Sequence, residues 1–241
     1  MSAPLVTCLC LTTHPKRAAY LPDALRSYRQ QSYGARELVV INDGAPLTSA
    51  RPDVRVVNLP ARAARWTIGE KRNAGVRAAR GVYLATWDDD DVSLPSRLSE
   101  EVEAAERTGA AVVLAGGMFV GDASLSLAGR CSRALAPVQA SALLRRDAVV
   151  AAGGYPVADY LEDAALLEHV RFLGRGRVEV LPDARWYVVR RHGSNITLRA
   201  GERDAVYTAC ALVDVGDVRE ASRAIAALRR GAGGDDVREV V

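Results

Sequence analysis

Four consecutive aspartates, Asp88 to Asp91, stand directly after the apolar run 82–87 and are the residues best suited to chemistry in this chain. Four adjacent negative charges repel one another, so a cation is needed nearby to offset them. A divalent metal that also holds a phosphate is one such cation, because Mg²⁺ is typically bound by one or two carboxylates plus the oxygens of a diphosphate. The alternative is a solvated acidic turn ahead of a helix that begins near Pro95.

Two further polar clusters follow apolar runs in the same way. They are Thr12-Thr13-His14 and Asn42-Asp43-Gly44. A carboxylate such as that of Asp43, at the end of a strand, can accept a hydrogen bond from the N–H edge of a nucleobase. The alternative for Asp43 is an ordinary turn aspartate before glycine.

The elements that position these clusters alternate between strand and helix patterns. Short apolar runs predict strands at 4–12, 37–41, 54–59 and 82–87. Helical spacing predicts helices at 20–31 and 69–80, the second ended by Gly81 in the left-handed conformation. Strands separated by helices predict a parallel sheet, and ligands bind beyond the carboxyl ends of its strands. The three polar clusters are therefore expected to meet at one edge of the sheet.

The second half of the chain is less regular. The predicted helices are 95–108, 161–173, and 204–230 with a break near Gly216. The predicted strands are 110–114, 178–181 and 185–190, with a hairpin or loop at 121–129 and a strand followed by a short helix at 141–151. Glu162 and Asp163 fall in the first turn of the helix at 161–173, where the helix dipole favours an ionised carboxylate.

The composition is that of an ordinary soluble globular protein. The 241 residues are 49% hydrophobic and 25% charged, and a net charge of +3 gives no case for nucleic-acid binding. The four cysteines, Cys8, Cys10, Cys131 and Cys210, have neither zinc-site spacing nor a disulfide framework. No secretion signal and no apolar stretch of about 18 residues or more is found, which predicts a cytoplasmic enzyme without a transmembrane segment.

Several motifs in order resemble family-2 glycosyltransferases of the GT-A fold, over roughly residues 4–197. The matching segments are 6–17, with Thr13-His14 in place of Tyr-Asn; 38–44, with Asn42 in place of the first Asp; 71–75; 87–91 followed by Pro95; Gly153-Gly154-Tyr155 followed by Glu162-Asp163; and the loop 191–197. The resemblance implies an α/β, Rossmann-like, mostly parallel central sheet with flanking helices and a C-terminal helical segment.

The same resemblance implies a division of the chain. Residues 1–198 would form the glycosyltransferase domain, with a nucleotide-sugar half at about 1–115 and an acceptor half at about 116–198. Residues 199–241 would form a helical extension and a flexible tail. The implied reaction transfers a sugar from a nucleotide-diphosphate donor, with UDP the default, to an acceptor hydroxyl with inversion and with the help of Mg²⁺ or Mn²⁺.

The resemblance also assigns roles to individual residues. Asp163 is the candidate general base, because a sugar hydroxyl needs its proton removed as the new bond forms. Asp90 is assigned to the metal with His192 as a second ligand, whereas Asp89 and Asp91 are spacer or support. The donor nucleotide is assigned to Thr12, His14, Asp43, Lys71, Arg72 and Asp88.

Two other functions stay open at this point. A nucleotidyltransferase also joins an α/β sheet to metal-binding aspartates, but it would be expected to carry a glycine-rich phosphate loop, and 12–17 contains no glycine. A non-catalytic sugar-nucleotide binding module is the other. The acceptor, whether a saccharide, a lipid-linked glycan or a small molecule, cannot be read from the sequence, nor can the oligomeric state, and peripheral contact with a membrane is left open.

Overall fold

A computed structural model describes residues 2–132, 138–173, 176–193, 195, 215–230 and 237–239. The helices are α1 (Leu21–Arg29), α2 (Ile68–Ala78), α3 (Arg97–Thr108), α4 (Arg146–Ala151), α5 (Glu162–Phe172) and α6 (Val215–Arg230). The strands are β1 (Val6–Thr12), β2 (Arg36–Asn42), β3 (Leu47–Ser49), β4 (Val54–Asn58), β5 (Tyr83–Thr86), β6 (Val92–Ser93), β7 (Val112–Ala115), β8 (Gly117–Gly121), β9 (Leu127–Ser132), β10 (Val138–Arg145), β11 (Val178–Leu181), β12 (Tyr187–Arg190) and β13 (Val237–Glu239).

Seven strands form the central sheet in the order β11-β7-β10-β5-β1-β2-β4. Strands β5, β1, β2 and β4 run parallel, and β11 runs parallel to β7. Only β10 is antiparallel, pairing with β5 on one side and β7 on the other. The predicted mostly parallel sheet is therefore confirmed, and its strands β5, β1 and β2 are direct neighbours.

Helices cover both faces of this sheet. On one face α1 and α3 pack in a cluster with Tyr28, Trp87 and Leu98. On the other face α2, α4 and α5 pack over Leu9 and Ile41. Cys8 and Cys10 are buried on the first face only, as their spacing of two predicts.

A second, four-stranded sheet in the order β6-β12-β8-β9 carries α6 on its outside. Ala221, Ile225 and Leu228 of α6 are buried in this third cluster with Trp186. The described part of the predicted helix 204–230 begins at Val215, and 204–214 lies outside the described residues.

Two local features differ from the sequence predictions. Gly81 does not end α2 in a left-handed conformation, because α2 already ends at Ala78 with Ala79 extended. A Cβ at Gly81 would lie 2.6 Å from the Thr7 nitrogen and 2.7 Å from the Leu5 oxygen, so glycine is required there for close approach to β1. The short strands β3, β6, β8 and β13 were not predicted, and β3 pairs with β13.

Among the described residues, no helix combines the length and apolar character that a membrane crossing requires.

Candidate active site

The three polar clusters predicted at strand ends do meet. Thr12 Oγ1 donates to Asp89 Oδ2 at 2.7 Å, and Thr13 Oγ1 donates to Asp43 Oδ1 at 2.6 Å. The His14 main-chain N–H donates to Asn42 Oδ1 at 3.1 Å. The ends of β5, β1 and β2 therefore form one continuous hydrogen-bonded surface.

Asp43 is held by a lysine from α2. Lys71 Nζ lies 2.8 Å from Asp43 Oδ1 and 3.2 Å from Thr13 Oγ1. Helix α2 begins with a capping box between Thr67 and Glu70, and Lys71 and Arg72, which follow it, are buried. Lys71, predicted to reach the ribose or diphosphate, is paired with Asp43 in this arrangement.

Asn42 and His14 complete this side of the site. Asn42 Nδ2 donates to the Ala45 oxygen and to Asn58 Oδ1, so the residue that replaces the first Asp of the family motif organises the turn. His14 Nδ1 is buried and has no hydrogen-bond partner among the described residues. The assignment of His14 to the nucleotide stays a prediction.

Arg72 joins the aspartate run to the start of α5. Its Nη2 lies 3.8 Å from Asp88 Oδ1, and its Nε donates to Glu162 Oε1 at 3.0 Å. The Arg72 guanidinium also lies 5.5 Å from the centre of the Tyr155 ring and is 6% exposed. Burial raises the pKa of Asp88 to about 6, Arg72 opposes this rise, and the charge of Asp90 adds to it.

Asp89 and Asp90 share a second arginine, Arg17. Arg17 Nε and Nη2 donate to Asp89 Oδ1 at 3.0 and 2.7 Å, and the same Nη2 contacts Asp90 Oδ2. Asp90 Oδ2 also lies 2.8 Å from His192 Nε2. Burial acts to raise the pKa of Asp90, but the hydrogen bond with His192 and the charge of Arg17 hold it below its usual value.

Asp91 connects the aspartate run to β12 of the second sheet. Tyr187 Oη donates to Asp91 Oδ2 at 2.7 Å, and the Arg190 main-chain N–H donates to Asp91 Oδ1 at 2.9 Å. Burial, with the charges of Asp90 and Asp88, raises the pKa of Asp91 well above its usual value. Both oxygens of this carboxyl group are therefore engaged by β12.

His192 is held in place by its own loop and by Tyr20, the residue before α1. The ring stacks on Tyr20 with centroids 4.3 Å apart, and Asn195 Oδ1 accepts from the His192 main-chain N–H at 2.6 Å. The predicted His loop 191–197 is described at 191–193 and 195, and the rest of it lies outside the described residues.

Asp163 stands in the first turn of α5, as predicted. The residue before the helix, Leu161, has a φ of 60°, an uncommon conformation for a non-glycine residue, and its side chain is exposed. Asp163 Oδ1 accepts the Ala164 N–H at 2.7 Å, the one hydrogen bond of its carboxylate within the described part of the chain. Glu162 in contrast is buried against Arg72.

The donor atoms present suit a cation bound jointly with a diphosphate. Within the described ranges, no three or more His, Cys, Asp or Glu side chains are grouped to hold a metal ion. Asp90 and His192, the two predicted ligands, do lie together. Mg²⁺ and Mn²⁺ favour carboxylate oxygen, and Mg²⁺ completes its shell with phosphate oxygens and water, so a small protein contribution is sufficient.

Three residues of the site were missed in the sequence. Arg17 and Tyr20 lie between β1 and α1, and Tyr187 lies in β12. The signal for Arg17 was present, because the aspartate run calls for a cation and Arg17 follows the polar cluster at the end of β1. Nothing in the sequence pattern marks Tyr20 or Tyr187.

The mostly parallel sheet with helices on both faces is the GT-A fold. S. aureus TarS 1–349 in complex with UDP has this fold: the TM-score is 0.59 at 16% identity, over 96% of this chain and 67% of that chain. The same protein in complex with UDP-GlcNAc gives a TM-score of 0.60 at 16% identity, over 96% of this chain and 68% of that chain.

The chain belongs to glycosyl transferase family 2, whose sequence model matches residues 8–130, just over half of the chain. The succinoglycan biosynthesis protein ExoO of Rhizobium meliloti is 36% identical over 96 residues, which cover 38% of this chain and 27% of ExoO. The uncharacterized glycosyltransferase EpsJ of Bacillus subtilis is 30% identical over 94 residues, covering 35% of this chain and 27% of EpsJ. The matched segments span about a quarter of the length of these relatives.

Proposed function

We propose that this protein transfers a sugar from a nucleotide-diphosphate sugar, with UDP as the nucleotide, to an acceptor hydroxyl with inversion of configuration. The observation that carries the proposal is the contact of Arg72 with both Asp88 and Glu162, the neighbour of Asp163. It joins the donor-side carboxylates and the candidate base in one cluster. A transferase needs both at one place, because donor and acceptor must be within bonding distance.

On the donor side, Asp43 would accept the imide N–H of the base, and Lys71 and Thr13 orient its carboxylate. His14 contributes a buried nitrogen without another described partner. Asp88 meets the ribose. UDP is chosen because the family resemblance favours it and because TarS, which shares the fold, was crystallised with UDP and with UDP-GlcNAc.

Asp90 and His192 would hold Mg²⁺ or Mn²⁺, which when bound neutralises the charge of the departing diphosphate. Arg72 is a further positive charge on this side, and it remains beside Asp88. These residues bind and orient the diphosphate, so that the anomeric carbon faces the start of α5.

On the acceptor side, Asp163 takes the proton. The acceptor oxygen forms its bond to the anomeric carbon as the bond from that carbon to the diphosphate oxygen breaks on the opposite face, and the acceptor proton moves to the Asp163 carboxylate. General-base assistance of this kind contributes about 10²–10⁴ in rate. Attack opposite to the leaving group inverts the configuration.

Calorimetry with UDP, GDP and dTDP tests the donor, each with Mn²⁺ and with a chelator. We expect UDP to bind most tightly and its affinity to fall with chelator and with Asp90→Ala. A panel of UDP-sugars then identifies the sugar by release of UDP. Failure of every nucleoside diphosphate to bind would contradict the proposal.

A further inference from the structure

Arg17 holds the carboxylate that is assigned to the metal. Its Nη2 contacts Asp90 Oδ2, the oxygen that also lies 2.8 Å from His192 Nε2. A guanidinium beside a carboxylate stabilises the negative charge. The positive charge that the aspartate run requires is therefore supplied, in this structure, by the protein itself.

The hold of Arg17 on Asp89 is independent of Asp90. Arg17 Nε and Nη2 both donate to Asp89 Oδ1, and Thr12 Oγ1 fixes the other Asp89 oxygen at 2.7 Å. The side chain of Asp89 is 4% exposed and that of Arg17 is 19% exposed. Arg17 can therefore lose its contact with Asp90 and keep its hydrogen bonds to Asp89.

We propose that Arg17 is an internal cation that competes with a divalent metal for Asp90 and keeps the metal affinity of the donor-free site low. A metal ion at Asp90 and a guanidinium on the same carboxylate are like charges within a few ångströms, and their repulsion is strong away from bulk water. A bound nucleotide diphosphate adds negative charge and oxygen ligands, which shift the balance toward the metal. This inference rests on the proposed metal role of Asp90.

Mn²⁺ binding to the donor-free protein tests the competition without any measurement of turnover. Arg17→Gln removes the charge and keeps a side chain that can hydrogen-bond to Asp89, so Mn²⁺ should bind about 10-fold more tightly or better, a change of about 1.4 kcal/mol. Free Mn²⁺ is counted by electron paramagnetic resonance during titration.

Lys16→Gln is the matched control, since Lys16 is the exposed neighbour of Arg17 and its loss removes the same charge from the same loop. Lys16→Gln should bind Mn²⁺ as the wild type does. Addition of Asp90→Asn to Arg17→Gln should abolish the gain, which ties the gain to Asp90.

A second variant covers the case in which Arg17→Gln fails to fold because Asp89 loses its partner. Arg17→Gln combined with Asp89→Asn removes both charges of the buried pair and leaves the net charge unchanged. It should still bind Mn²⁺ more tightly than the wild type. Circular dichroism establishes that each variant is folded before titration.

Equal or weaker Mn²⁺ binding by the folded Arg17 variants, or an equal gain in Lys16→Gln, would overturn the role of Arg17. UDP binding by the wild type with Mn²⁺ tests the proposed function separately, so the two failures are distinct. Absence of Mn²⁺ binding in every variant, with UDP present, would overturn both the competition and the proposed metal.

Discussion

Each of the four adjacent aspartates is paired with a positive charge or a hydrogen-bond donor. Asp88 faces Arg72, Asp89 is held by Arg17 and Thr12, Asp90 is shared by Arg17 and His192, and Asp91 is hydrogen-bonded by β12. This distribution lowers the mutual repulsion that the bare run would have.

At the residue scale, Asp163→Asn should reduce turnover by about 10²- to 10⁴-fold, because the amide cannot take the acceptor proton. UDP affinity should stay within about twofold, since the proposed role of Asp163 is toward the acceptor. Initial rates of UDP release and calorimetric titration with UDP give the two quantities.

Asp147→Asn is the matched control for this variant. Asp147 also lies in the first turn of a helix, α4, and its Oδ1 accepts the Ala148 N–H at 2.7 Å, the same local bond that Asp163 makes. If both substitutions lower turnover equally, the effect of Asp163 comes from stabilising the start of its helix, and Asp163 is not the base.

At the element scale, α2 holds the segment that precedes α5. Asn73 Nδ2 donates to the Tyr155 oxygen at 2.7 Å, and Asn73 Oδ1 accepts the Tyr155 N–H at 2.8 Å. The turn that leads into Tyr155 has positive φ at both Gly153 and Gly154. The segment that leads into α5 is thus attached to the helix that carries Lys71 and Arg72.

Gly154→Ala should destabilise the protein more than Gly153→Ala. Both residues have positive φ, at +82° and +88°, so each alanine costs about 1–2 kcal/mol of backbone strain. A Cβ at Gly154 would in addition lie 2.6 Å from Asn73 Oδ1, whereas at Gly153 no described atom lies within 4 Å. Urea unfolding of the two variants measures the difference, and equal losses would show that Asn73 moves aside.

Helix α3 contains a buried ion pair that makes stability depend on pH. Arg97 Nε donates to Glu101 Oε1 at 3.3 Å, and the guanidinium lies 4.9 to 5.5 Å from the rings of Trp87, Trp186 and Tyr187. Burial, only partly offset by Arg97, raises the pKa of Glu101 from 4.5 to about 8. The folded state therefore binds the Glu101 proton more tightly than the unfolded state does.

Because of this raised pKa, the free energy of unfolding should fall as pH rises from about 5 to 8, by up to roughly 1.4 kcal/mol per pH unit from this group. Glu101→Gln should remove that slope, while Glu103→Gln, exposed on the same helix, should keep it. Urea unfolding at pH 6 and 8 compares the three proteins. Parallel curves for wild type and Glu101→Gln would contradict the assignment.

Most elements were predictable because their residues carry a local pattern. Apolar runs bounded by polar residues marked β1, β2, β4 and β5, and the polar ends of these runs marked most of the site. The place of β10 between β5 and β7 was not predictable, since strand pairing is decided by tertiary packing. The partners of Arg17 could not be predicted from the sequence either, because its contacts with Asp89 and Asp90 span more than 70 residues.

At the scale of the whole molecule, Asp23 connects three elements that are far apart in sequence. Asp23 Oδ2 accepts from Arg190 of β12 at 2.7 Å and from Arg229 of α6 at 3.1 Å. Arg190 is 2% exposed. Burial acts to raise the pKa of Asp23, but these two arginines hold it below its usual value.

Asp23→Asn should lower the free energy of unfolding by about 2–3 kcal/mol, because a buried guanidinium loses its counter-charge. Amide hydrogen exchange in α6 should accelerate as well. Glu168→Gln breaks the exposed pair with Arg171 and should cost less than about 1 kcal/mol. A loss in Asp23→Asn no larger than in Glu168→Gln would mean that α6 is held by its apolar contacts alone.

Through Asp91, the aspartate run links the central sheet to the second sheet. The Asp91 carboxyl group is bonded to a side chain and to a main-chain amide of β12, so a slip of the second sheet by one residue would break both bonds at once. The same tetrapeptide carries Asp88 and Asp90, the carboxylates proposed to bind the donor nucleotide and the metal. A shift of the second sheet would therefore act on Asp90, one peptide bond from Asp91, and on Asp88, three peptide bonds away.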